Sequence, residues 1–153
     1  MDLLKHMHSS LRWAVLAVLI YALFRAISGL RSGKPFGEDD RKAGLLTTIV
    51  CDLQLLMGLA LYFLGPMGLK NIQNNGMSTV MQNPLARFFA VEHLSMMLLA
   101  IILIHIGSAR SKRGATDAAK HKAALIFYGI GLLLILASIP WPFQAKFSHL
   151  GWM

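Results

Sequence analysis

Apolar residues along this chain come in long blocks, with no alternation between apolar and polar positions. Four blocks stand out: Trp13 to Leu30, Ala43 to Leu64, Leu85 to Gly107 and Ala123 to Pro140. Each approaches the roughly 20 residues that an α-helix needs to cross a hydrocarbon core of about 30 Å. Strands of that length would be too long and would show a period of two, so helices are the only structure that satisfies the backbone in lipid. The pattern predicts an all-α integral membrane protein, an up-down four-helix bundle. Its helices are expected at about 10–30, 43–64, 85–108 and 122–140, within a single domain covering 1–153.

The polar intervals fit that plan. Gly65 to Pro84 is the one long connector, broken by Pro66, Gly68, Asn74-Asn75-Gly76 and Pro84, with room for a short surface helix over one end of the bundle. Pro140-Trp141-Pro142 ends the fourth helix, because proline has no N–H to continue the ladder. Trp13, Trp141 and Trp152 then fall near one face, where indole rings anchor at headgroup depth.

Composition sharpens the reading. Of 153 residues 56% are hydrophobic and 14% charged, and the net charge is +8. That surplus does not signal nucleic acid, because nine of the 15 basic residues lie in or beside connectors one and three. These are Arg31, Lys34, Arg41, Lys42, Arg110, Lys112, Arg113, Lys120 and Lys122. The positive-inside rule puts those connectors in the cytoplasm and both termini outside, with anionic lipid headgroups as partners of the basic residues. Ala26-Ile27-Ser28 has the small-x-small form of a signal cleavage site, but a signal peptide keeps its N-terminus inside, against this bias. The first block is therefore read as a retained helix. Cys51 is single, falls within the second helix and is read as packing.

Ionisable groups inside the spans need a reason to be there. Arg25 and Asp52, on adjacent helices, are expected to form an intramembrane ion pair that Gln54 extends; the alternative is Arg25 snorkelling to the cytoplasmic face. The histidines carry more information. His8 precedes Arg25 by 17 residues and His93 precedes Arg110 by 17. If both arginines mark the inner boundary, both imidazoles lie about 25 Å above it, on the first and third helices. Those are diagonal partners in an up-down bundle, so the two rings can meet in its core and supply the axial ligands of a haem. Arg12, one turn below His8, and Arg87, just before His93, are then candidates to pair with haem propionates. The other reading makes both histidines polar residues satisfied at an interface. With Arg31 as the boundary instead, His8 rises about 9 Å and the pairing fails.

His105 and His121 form a candidate inner pair. His93 and His105 are rotated by about 120° and share no face, so a second haem would bridge the third and fourth helices. Against that, His121 lies between Lys120 and Lys122, as an interfacial cation would. Glu92 is a candidate proton relay, a hydrogen-bonding support for His93, or an ion-pair partner of Arg87 or Arg12.

Three segments resemble small bacterial four-helix membrane proteins labelled "cytochrome b". They are His8-Ser9-Ser10-Leu11-Arg12-Trp13, Arg87-Phe88-Phe89-Ala90-Val91-Glu92-His93 and Ile139-Pro140-Trp141-Pro142-Phe143. The resemblance covers most of the chain in the same order. It implies a b-type haem protein that handles electrons at the bacterial inner (cytoplasmic) membrane, with a quinone or a redox protein as partner.

Copper handling is the rival. His6-Met7-His8 with Met67, Met77 and Met81 offers the imidazole and thioether donors that Cu(I) selects, although methionine is also a common adaptable filler. A third reading is an accessory subunit in which Gly129 and Gly131 permit close helix approach. No HExxH motif or phosphate loop is present, and Ser9 beside His8 is too commonplace to indicate a hydrolase.

Overall fold

A computed structural model describes residues 1–151. Helix α1 runs Asp2–Ser32 and α2 runs Glu38–Leu64. The long connector folds into α3 (Leu69–Asn75) and α4 (Met77–Gln82). The third span begins as α5 (Pro84–Arg87), widens into a π turn at Phe88–Glu92 and continues as α6 (His93–Arg113). Helix α7 (Asp117–Ser138) and a 3₁₀ turn (Ser148–Leu150) complete the described chain. By length and composition, four helical stretches are apolar enough to cross a membrane: Asp2–Ser32, Glu38–Asn75, Pro84–Arg113 and Asp117–Ser138.

The elements start and stop for local reasons. Gly33 ends α1 in the left-handed region (φ 60°), and its N–H bonds the Gly29 carbonyl. At the start of α2 the Asp40 carboxylate accepts from the Gly37 N–H at 2.9 Å. That places a negative charge where the helix dipole favours it. Thr116 caps α7 by accepting from the Ala119 N–H at 3.1 Å. Helix α1 begins eight residues before the expected start, so at about 1.5 Å per residue its 31 residues outrun the hydrocarbon and carry His6 and His8 in its outer turns.

Packing gives the expected up-down order. Helix α1 lies against α2 and α7, and α6 lies against α7 and α2, so α1 and α6 face each other across the bundle diagonal. Leu19, Thr47 and Ile104, one from each of α1, α2 and α6, have no exposed surface. Large apolar side chains such as Ile20, Phe24, Leu56, Ile102 and Leu133 point outward, as a lipid-facing surface requires. The segment after α7 folds back over the outer end, where Phe147 (1% exposed) packs on Phe88 and Phe89. Trp13 and Trp141 meet edge to face at 6.2 Å. Trp152, expected beside them, lies outside the described residues.

Candidate functional site

Two cavities lie in the bundle, and no residue lines both. The outer one encloses about 280 Å³, at the low end for ligand cavities, and is walled by all four spans and the long connector. Its lining is mostly aliphatic, and Lys5 and Arg12 are its charged members. The inner one holds only about 10 Å³. Among the described residues, five buried polar side-chain atoms lack a hydrogen-bond partner: His8 Nδ1, Arg12 Nε, Gln54 Oε1, His121 Nδ1 and Tyr128 Oη. The first three belong to the outer cavity wall and the last two to the inner. Unpartnered buried polar atoms are costly, and their concentration at two holes marks both as places for a polar ligand.

The structure brings His8 and His93 together at the outer cavity. Their ring centroids are 6.4 Å apart with planes at 71°. Each ring is set by a second residue. Gln54 Nε2 lies 3.2 Å from His8 Nε2 and donates to the His8 carbonyl at 2.9 Å. Gly58 lets α2 approach the ring closely, since a Cβ there would come 3.1 Å from His8 Cε1. His93 Nδ1 lies 2.8 Å from the Ser138 carbonyl. A carbonyl only accepts, so Nδ1 carries the proton and the Nε2 lone pair is free.

The Pro140-Trp141-Pro142 motif explains why that carbonyl is available. In a continuing helix Ser138 O would accept from residue 142 and Leu136 O from residue 140, but both are prolines without an N–H. The Leu136 carbonyl takes the Trp141 Nε1–H instead, at 2.9 Å, and the Ser138 carbonyl takes His93. Ser138 and Gly58 therefore join the site although neither is singled out by the sequence, and Gln54, expected beside Arg25 and Asp52, belongs to His8 instead. The paired prolines were a visible signal for Ser138.

Arg12 faces the same cavity, only 9% exposed, with its guanidinium 5.2 Å from the Trp13 ring. Arg87 does not belong to the cavity wall. It donates to Glu92 at 2.6 Å and to the Met81 carbonyl at 3.0 Å. Glu92 also lies 4.0 Å from Lys146, so it is an ion-pair partner and Ser138, not Glu92, supports His93.

Two sequence-based expectations for the inner half are corrected. Arg25 does not pair with Asp52. It binds Asp40 at 3.0 Å and Asp39 at 3.5 Å, because the tight turn at 33–37 puts the start of α2 beside the end of α1. Asp52 lies farther along α2 and meets His105 at 2.8 Å, both about half exposed on the outside of the bundle. His121 is not an interfacial cation. It shares the inward face of α7 with Ala124 and Tyr128, is 1% exposed, packs on Phe36, and bonds the Lys34 carbonyl at 3.2 Å. His105 and His121 thus occupy separate settings.

Among the described residues no three His, Cys, Asp or Glu side chains converge. Met77 and Met81 are exposed on α4, outside the cavity wall, whereas Met67 and Met97 line it beside the two histidines. Comparison with known proteins adds no relative, since no family model, curated protein or solved structure matches the chain.

Proposed function

We propose that this bundle is a b-type cytochrome-like membrane protein whose outer cavity holds one non-covalent haem b between His8 and His93. The observation that carries the reading is the meeting of these imidazoles, from diagonal helices, with centroids 6.4 Å apart. A metal–imidazole bond of about 2 Å on each side, plus about 1 Å from nitrogen to ring centre, asks for roughly 6 Å. The Nδ1–H to carbonyl bond of His93 is the support that a metal-ligating imidazole needs, since it fixes the ring and leaves Nε2 as donor. Lys5 and Arg12, in a wall that among the described residues has no carboxylate, suit the acidic groups of the porphyrin, and the apolar lining suits its ring. The haem would supply one-electron transfer. A quinone or an external redox protein is the exchange partner that a membrane location suggests.

The copper alternative draws support from Met67 and Met97 in the same wall as His8 and His93. The charge favours the haem reading, because two basic side chains and, among the described residues, no acidic one repel a bare cation. The chain is assigned to the bacterial inner membrane with both termini outside, on its basic connectors and on the resemblance noted above.

The test is spectroscopic. Protein purified gently, or incubated with haem, is expected to give a low-spin six-coordinate spectrum. His8→Ala or His93→Ala should abolish or convert that spectrum while leaving helix content unchanged. His149→Ala should leave the spectrum as it is. Cu(I) binding without any haem uptake would replace this reading with the copper one.

A further inference from the structure

The inner cavity is independent of the haem reading, since no residue lines both it and the outer site. Its wall takes Arg25 from α1, Asp40 from α2, Ser111 from α6, and His121 and Tyr128 from α7. All four spans therefore contribute to a hole of about 10 Å³, close to the smallest volume that admits one water molecule. Two of its side chains are almost wholly buried yet incomplete. His121, 1% exposed, spends its Nε2–H on the Lys34 carbonyl, which leaves Nδ1 as an acceptor without a donor. Tyr128, 2% exposed, has the Ser108 and Ser111 hydroxyls within interaction range, Ser111's hydrogen being spent on the Ser108 carbonyl, and its own Oη makes no well-aligned hydrogen bond.

We infer that this cavity is a binding site for a single ordered water that joins Tyr128, His121 and Asp40 at the basic-connector end of the bundle. The hydrogen inventory closes without a surplus. Tyr128 O–H donates to the water, and the water donates one hydrogen to His121 Nδ1 and the other to the Asp40 carboxylate. The Asp40 oxygens already accept from Arg25 Nε at 3.0 Å and the Gly37 N–H at 2.9 Å, and each retains a lone-pair direction. Three protein partners is the usual number for a buried water.

The site would do mechanical work. Arg25–Asp40 fastens α1 to α2, and His121–Lys34 fastens α7 to the first connector. The water is the link that joins the two fastenings, so that the connector end behaves as one unit. Bound there, it also fixes His121 as the Nε2–H tautomer.

The experiment is solid-state NMR of the full chain, ¹⁵N-labelled at histidine, in lipid bilayers. His121 is expected to show a protonated Nε2 and an unprotonated, hydrogen-bonded Nδ1 that receives magnetisation from water protons. In Tyr128→Phe the water contact at Nδ1 should weaken or vanish, because the water loses its donor. An Nδ1–H tautomer in the unaltered protein overturns the inference. So does an Nδ1 without water contact, including one bonded directly to the Tyr128 hydroxyl. These outcomes need no variant, so failure of Tyr128→Phe to fold leaves the test intact.

Discussion

At Arg12 folding and ligand binding make opposite demands. A guanidinium only 9% exposed, with its Nε unpartnered, weakens the ligand-free bundle, because a buried charge without full compensation is costly. The same cation is an asset once an acidic group enters the cavity. Arg12→Met keeps the aliphatic stem and removes the charge. It should raise the stability of the haem-free protein by about 1 kcal/mol and weaken haem uptake. Thermal melting of the haem-free variant beside a haem titration checks both halves; a less stable haem-free protein would show that Arg12 is already well compensated. Gly29 illustrates a different constraint. A Cβ at this position would collide with three atoms of the His121 ring, which is itself enclosed. Gly29→Ala should therefore cost about 1–3 kcal/mol in the same melting assay. The sequence reading reached His8, His93 and Arg12 through their spacing, since equal offsets along helices translate directly into depth. It offered Glu92 as a partner of Arg87, as found, but mistook the partners of Arg25 and Asp52 and the setting of His121, because these depend on helix rotation about its axis and on turn geometry. Residue type records neither.

Among the elements, the π turn at Phe88–Glu92 leaves no mark on the apolar pattern, which reads as one continuous span from about 85. A wide turn adds one residue without changing the apolar character of a block, so hydropathy cannot register it. Its consequence is local. The His93 N–H bonds the Phe88 carbonyl, five residues back, and the turn presents Phe88 and Phe89 to Phe147 while Lys146 sits 4.5 Å from the Phe88 ring. Inserting an alanine after Val91 would add a residue that the wide turn does not absorb and rotate everything before it by about 100° relative to His93. The expected result is a loss on the order of 2 kcal/mol and proteolytic cleavage after Lys146, as Phe88 and Phe147 part. Unchanged protection at Lys146 would show that the tail docks whatever the phase of Phe88 and Phe89. The Pro140-Trp141-Pro142 stop, by contrast, was legible as a helix end. Its second role, releasing a carbonyl to orient His93, became visible only once α6 and α7 were placed side by side.

For the whole molecule, the two cavities and the charge distribution define a direction. The outer cavity opens among the outer turns of α1, the long connector and the start of the third span, while the water-sized cavity lies beside the first connector. The basic residues cluster at that second end, nine of 15 in or beside connectors one and three. Basic residues resist transfer across the membrane far more than acidic ones do, so Glu38, Asp39 and Asp40 at the start of α2 do not cancel the bias. Asp40 is moreover committed to Arg25 and to the Gly37 N–H. The His8–His93 cavity should consequently face the side opposite the cytoplasm. Reporter fusions decide this. Fusions at Gly37 and Gly114 are expected to read cytoplasmic, and fusions at Asn75 and after the C-terminus are expected to read external. Adding two lysines beside Asn75 should lower the external signal there, because the bias then shrinks from nine against the remaining basic residues. A cytoplasmic reading at Asn75 in the unaltered chain would invert the molecule, placing the histidine cavity inside and the Arg25–Asp40–His121 end outside. The electron partner would then have to be sought in the cytoplasm.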